Sequence, residues 1–553
     1  MAAVPGSRNF GNNLGRNRPV VEKGSTFQQQ AAILVAASLI VRFIGFLYRI
    51  PMTAIIGDEG NAYYSVGFQI YNFFLILSSA GLPAAIAKMV SERAALRQYK
   101  EAHAVFQTAL IVASAIGLFG SLALALFARP IAEMTKYPES YYSILSLSPT
   151  LSIVALMAVI RGYFQGMRNT VPTAVSQVAE QIFNGIFTVV LAYAFIKNGV
   201  EYAAAGGTAG TGIGALAGLG VVLYIYFMMA PRIKEKMNGP VNSAAPVTGK
   251  PQLASELMRT AFPIIIGMAV YSITNLIDTF MVSSRLASSG AFDQTQIASL
   301  FGQYAGKYGT ITTLPVSISS AMAAAAVPNI ASEYKLKDYG AVHNKINIGL
   351  RLAMLISVPS AVGLGVLGVP IIKMLFRSYP EGGGLLQAGA ISVVFLALTQ
   401  IATGMLQGIG RINIPVLGAG AGAIMKIAFN FFLIAIPSVN IYGAVISTII
   451  CYVTAAGVNV YFLVKHTKVR IDVSRAFLKP AVSSVIMGMV CYVVYYTFFF
   501  ITDSNGISLI FALIAGVLFY FVIMSVLRGI KQDDVERLPF GNRIVAFTKV
   551  FKI

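Results

Sequence analysis

Between residues 31 and 527 the sequence returns again and again to apolar runs of about 20 residues or more, each long enough to cross a hydrocarbon core of about 30 Å. In lipid every backbone N–H and C=O must be satisfied within the protein, so only helices or closed barrels can span. Barrel strands alternate apolar and polar positions over about 10 residues, whereas the run 507–527 is apolar all round. The chain is therefore predicted to be an all-α polytopic membrane protein. Spans are expected at 31–56, 63–90, 104–128, 143–164, 173–196, 204–230, 260–282, 297–330, 350–375, 385–408, 415–437, 443–464, 480–502 and 507–527, fourteen in all, the eighth interrupted by Pro315. Composition agrees. Only 11% of the 553 residues are charged, against about 25% in soluble domains, and mean hydropathy is +0.73.

The formal net charge of +20 would suggest nucleic acid on a soluble chain. Its distribution says otherwise. Connections after odd-numbered spans are poor in cations: 57–61 holds Asp58 and Glu59 and no Lys or Arg. Connections after even-numbered spans are rich, with Arg93, Arg97 and Lys100, then Arg232, Lys234 and Lys236, then Lys335, Lys337 and Lys345, then Lys465, Lys468 and Arg470. By the positive-inside rule both termini are expected in the cytoplasm of a cell-membrane protein, and no nucleic-acid partner is expected. The first 25 residues are polar and basic and do not read as a signal peptide. Cys451 and Cys491 lie in apolar runs and read as packing residues.

An internal repeat orders the spans. Residues 164–172 read FQGMRNTVP and 406–415 read LQGIGRINIP, pairing Gln165 with Gln407, Gly166 with Gly408 and Pro172 with Pro415. Asn184 and Asn430 follow in each copy, and Ser91-Glu92 precedes Ser332-Glu333 at nearly the same offset. Six spans per copy is an even number, so the copies share one topology, a parallel repeat of the kind that places a substrate site between halves. The expected organisation is a disordered basic N-terminus (1–28), an N-lobe (29–231), a linker (232–257), a C-lobe (258–465), two extra helices (466–528) and a basic tail (529–553).

No metal site is expected, because His103, His343 and His466 are scattered without acidic or Cys companions. No cofactor is expected either. No phosphate-loop motif exists, and the glycines from Gly206 to Gly220 read as helix packing. This disfavours an enzyme, such as a membrane-embedded glycosyl- or acyltransferase, and favours a transporter; a non-transporting scaffold is the remaining class. Ionisable residues at membrane depth carry the functional signal. The cations are Arg42 and Arg49, seven apart on one helix face, with Lys88, Arg161, Lys307 and Lys426; the acids are Glu180 and Asp278. A cavity with this excess of cations suits an anionic substrate, and arginine grips phosphate bidentately. Glu180 and Asp278 are candidates for ion coupling. Without a nucleotide site, the drive is expected from membrane potential or a monovalent-cation gradient.

The stretches RFIGFLYRIP (42–51), GLPAAIAK (81–88), NLIDTFMV (275–282) and FQGMRNTVP resemble the multidrug/oligosaccharidyl-lipid/polysaccharide exporter superfamily, and within it the flippases of the stage V sporulation protein B and MurJ type. That resemblance implies a V-shaped, two-lobed transporter alternating between inward-open and outward-open states. It implies translocation of undecaprenyl-diphosphate-linked sugars, with membrane lipids as the other partners, and span-one arginines at Arg42 and Arg49 as essential. Lys307 stands where that type carries an arginine, keeping the charge but losing the fork. A cation-coupled multidrug exporter of the same superfamily is the alternative.

Overall fold

A computed structural model describes residues 27–238, 248–527 and 529. The expected basic N-terminus, the middle of the expected linker and nearly all of the tail lie outside the described residues. Among those described there are helices and no strand. In chain order they are α1 (Phe27–Leu75), α2 (Leu82–Ala95), α3 (Tyr99–Met134), α4 (Tyr141–Leu147), α5 (Thr150–Gly166), α6 (Val171–Phe195), α7 (Val200–Met237), α8 (Lys250–Ser288), α9 (Gln294–Phe301), α10 (Gly309–Lys335), α11 (Tyr339–Leu375), α12 (Gly383–Gly389), α13 (Ser392–Gly408), α14 (Asn413–Leu433), α15 (Tyr442–Thr467), α16 (Lys479–Thr502) and α17 (Asn505–Val526). π-helical turns at Ile76–Ala80 and Gly302–Tyr308 lead into α2 and α10. Helix α7 continues to Met237 and α8 begins at Lys250, so helix occupies both ends of the expected linker.

Eleven segments among the described residues are long and apolar enough to cross a membrane, twelve if the bent pair α12 and α13 is one crossing. Fourteen were expected, and one difference has a local cause. Expected spans one and two form a continuous segment of 63 residues, bent at Gly57, whose φ of 68° breaks helical geometry. Only glycine takes such a backbone without strain, and a Cβ there would also meet Tyr379 at 2.9 Å. Expected span seven lies within α8, a helix of 39 residues whose stretch 260–277 holds no charged residue.

The repeat is visible in the packing. A Cβ on Gly166 would meet Val90 at 2.7 Å, tying α5 to α2; one on Gly408 would meet Ile330 at 3.0 Å, tying α13 to α10. Gly162 against Pro83 and Gly404 against Ala323 repeat the relationship one turn earlier. The motif glycines thus mark equivalent close crossings in the two halves. The α7 glycines pack as expected: Cβ atoms at Gly206, Gly210 and Gly214 would fall 2.4–2.8 Å from α6 backbone atoms of Leu191, Thr188 and Glu180. Lipid provides no hydrophobic drive between helices, so such close approach supplies the association. Helices α16 and α17 stack on each other and on α11.

The two halves meet chiefly through their first helices. Helix α1 leans on α9, α10 and the Gly302–Tyr308 turn of the second half, and α8 leans on α2 and α3 of the first.

Candidate functional site

A cavity of about 280 Å³ opens where α1 closes the mouth of the second half. From α1 come Arg49, Ser65, Phe68 and Gln69; α8 supplies Asn275 and Asp278; Tyr304, Tyr308, Thr312, Lys426, Thr448 and Tyr452 complete the wall. The site is therefore not shared evenly between the halves, as the repeat alone suggested. Helix α1 is the first half's contribution to this lining.

The second half builds the floor around one carboxylate. Lys426 Nζ lies 2.6 Å from Asp278 Oδ2, and Tyr304 donates to the same oxygen at 2.7 Å. Asn430 donates to Oδ1 at 3.0 Å, and its own carbonyl oxygen accepts from Ser447. Tyr304 is also 2.8 Å from Thr448 Oγ1. Asp278 and Lys426 are both buried. A buried charge is tolerated when paired and hydrogen-bonded, and Asp278 and Lys426 are paired, with further donors on the carboxylate. Asp278, expected as an ion-coupling group, holds a resident ammonium.

Arg49 has no such neutralisation. It makes no ion pair among the described residues. Its guanidinium lies 4.5 Å from the centroid of the Tyr64 ring, and its Nη1 is buried without a hydrogen-bond partner. Two cations and one carboxylate line the cavity, which leaves one uncompensated positive charge, on Arg49.

The other expected site residues are placed elsewhere. Lys307 is fully buried in the seam between the halves. Its Nζ is 2.6 Å from Asp58 Oδ1 and donates to the carbonyls of Tyr379 at 2.6 Å and Glu381 at 3.1 Å. Arg42, one helix face with Arg49 in the sequence, is exposed and does not line the cavity. Ile40, Phe43 and Leu47 on the same stretch of α1 are exposed as well. Arg161 and Glu180 pair with each other inside the first half, Nη2 to Oε2 at 2.8 Å, with Arg161 Nε donating to Ser176. Lys88 lines a separate opening with residues of α8.

Sequence reasoning passed over Asp58, Tyr304 and Gln69 as site residues. Asp58 carried a usable signal: an acid beside a glycine, in a connection without a cation, in a chain whose membrane-depth charges are mostly positive. The tyrosine and glutamine carried none, because such residues are common in membrane helices.

Comparison with known proteins agrees with this architecture. Residues 27–334 match the family described as polysaccharide biosynthesis protein. Stage V sporulation protein B of Bacillus subtilis is 26% identical over 525 residues, covering 94% of this chain and 99% of the relative. Lipid II flippase MurJ of the same organism is 28% identical over 550 residues, covering 93% and 97%. Among solved structures, a lipid II flippase MurJ in an inward closed conformation superposes with TM-score 0.65 at 17% identity, over 90% of this chain and 98% of that one. An inward-facing multidrug resistance MATE family transporter gives 0.63 at 13% identity, over 79% and 98%. These structural likenesses establish the two-lobed transporter fold, and the superfamily resemblance read from the motifs stands. With more than half of its length matched, the chain belongs to the polysaccharide biosynthesis protein family.

Proposed function

We propose that this protein is a flippase, a transporter and not an enzyme, that carries undecaprenyl-diphosphate-linked oligosaccharide of the lipid II type from the inner to the outer leaflet of the cell membrane by alternating access. The observation that carries the reading is Arg49: an arginine with a buried, unpartnered nitrogen, lining a cavity between the first helix and the second half. A diphosphate supplies the bidentate acceptors that such a group lacks. The names of its Bacillus relatives, a sporulation protein and a lipid II flippase, support the same class of cargo.

At about 280 Å³ the cavity lies below the roughly 300–1,000 Å³ of small-molecule sites, so an oligosaccharide headgroup requires the halves to part. Asp58–Lys307 is the contact that resists parting. With the connection 57–61 placed outside, as its lack of Lys and Arg suggests, this seam is the outer closure. A diphosphate reaching Lys307 competes with Asp58 for the ammonium, so substrate arrival weakens the seam that must open to release it.

The multidrug-exporter alternative meets a cavity whose carboxylate already holds Lys426. A cationic drug would face net positive charge. A monovalent cation could occupy Asp278 only after Lys426 withdraws.

The deciding experiment is reconstitution in vesicles with a fluorescent polyprenyl-diphosphate sugar. Translocation by the native chain and its loss in Arg49→Ala, with native thermal stability retained, is the expected result. Full activity in Arg49→Ala would remove the site from the proposal.

A further inference from the structure

A second opening, of about 610 Å³, lies on the cation-rich end of the bundle between α2 and α8. Lys88 projects into it from α2; Gln252, Ser255, Glu256, Arg259 and Thr260 line it from α8. Lys88 and Arg259 are exposed, and neither makes an ion pair among the described residues. The carboxylate of Glu256 is already engaged: Arg93 Nη2 holds Oε2 at 2.8 Å and Nη1 reaches Oε1 at 3.4 Å. Arg93 has a further partner in Glu101, at 3.3 Å. The opening therefore presents two uncompensated cations, with the Gln252 amide and Ser255 hydroxyl as further donors. Its size suits a small polar headgroup.

The opening shares a helix face with the central cavity. Thr260 and Asp278 are 18 residues apart, five helical turns, which places them on one side of α8 about 27 Å apart. Ile264 and Asn275, eleven apart, lie within about 20° of each other and about 40–60° round the helix from that line. Thr260 and Ile264 border the outer opening; Asn275 and Asp278 border the central one. This side of α8 thus joins the border of the outer opening to the cavity that holds Arg49.

We infer that Lys88 and Arg259 form a first docking site for a lipid-borne diphosphate, which then passes along this face of α8 to Arg49. The inference rests on the flippase reading and adds to it a place of entry. It differs from simple snorkelling, in which two long cationic side chains reach water or headgroups without selecting a ligand. The two cations are held across a cavity from each other by different helices, and the nearby acid is withdrawn by a third residue.

The test uses the full chain in nanodiscs and binding of a polyprenyl diphosphate, measured in an Arg49→Ala background so that the central site is silent. Binding is expected to persist there, and to weaken about tenfold when Lys88→Ala and Arg259→Ala are added, the loss of a charge-assisted contact or two; Lys88→Arg should retain it. Binding indifferent to both substitutions overturns the docking site, while translocation that still depends on Arg49 in vesicles leaves the flippase reading standing. Displacement by inorganic pyrophosphate at the same concentration as the lipid assigns the site to a soluble phosphate and overturns the lipid-borne ligand. Equal binding of phosphatidylglycerol shows general attraction of anionic lipid and overturns it as well. Failure of the native chain to translocate any polyprenyl diphosphate removes the reading on which the inference rests.

Discussion

Asp58 and Lys307 meet at 2.6 Å across the two halves of the chain, with the carboxylate on α1 and the ammonium on the π-helical turn before α10. Both are buried, at 4% and 0% exposure. Removing one member of a buried pair strands the other, at about 3–5 kcal/mol, whereas removing both is far milder. Asp58→Ala is therefore expected to lower thermal stability sharply, and Asp58→Asn with Lys307→Gln to recover most of it. The double variant should also open the seam more often. A cysteine introduced at the cavity wall as Thr313→Cys would report this: labelling by an impermeant thiol reagent from outside should speed up in the double variant. Equal labelling rates in both backgrounds would show that the pair does not hold the closure.

Gly302 supplies an independent probe of the same contact. A Cβ at this position would fall 1.7 Å from the Asp58 carbonyl oxygen. Backbone, unlike the end of a flexible side chain, cannot give way by that amount. Gly302→Ala must therefore push α1 off the Gly302–Tyr308 turn and separate Asp58 from Lys307 without altering either charge. The expected result is the opened-seam labelling pattern of the charge variants, in a protein that still assembles in the membrane. Native labelling kinetics in Gly302→Ala would mean that the backbone crossing does not govern the closure.

The helical architecture was legible because lipid leaves the backbone so few options, and the repeat because glycine crossings at Gly166 and Gly408 tolerate no larger residue. The site was legible only in part. Burial cost identified Lys307, Lys426 and Asp278 as special, but burial cost is the same whether a charge is paired or free. Pairing depends on contacts 148 residues apart, Asp278 with Lys426, which no local pattern encodes. Periodicity placed Arg42 beside Arg49, yet a shared helix face says nothing about where along that face the neighbouring helices end. Asp58 was read as part of the connection between the first two spans; the chain instead bends at Gly57 and carries the acid into the seam.

The Asp278–Lys426 pair makes a separable prediction. Lys426→Ala leaves a buried carboxylate with Tyr304 and Asn430 as its remaining donors, and should cost about 3–5 kcal/mol. It also vacates the position of a monovalent cation. Stability of Lys426→Ala is thus expected to rise with added sodium, while the native chain shows no such response. A second change, Asp278→Asn, should restore stability and abolish the response. A native chain stabilised by sodium to the same extent would indicate that Lys426 leaves Asp278 readily and that the carboxylate serves an external ion after all.

Transport energetics follow from the charge that moves. With Asp278 and Lys426 compensating each other, the cavity contributes about one positive charge from Arg49, while a diphosphate headgroup carries more than one negative charge. The loaded site is then net negative, and its movement outward from a negative interior is downhill. Each net charge crossing 100 mV gains about 2.3 kcal/mol, about fiftyfold in the equilibrium ratio. In vesicles holding a potassium gradient, valinomycin set to make the interior negative should raise outward accumulation of the labelled lipid, and the reversed gradient should lower it. Arg49→Lys keeps the charge and should keep the voltage response at a reduced rate. Accumulation indifferent to the sign of the potential would require the headgroup to cross with its charge fully balanced, by the seam lysine in addition to Arg49, and would place Lys307 on the moving ligand instead of on Asp58.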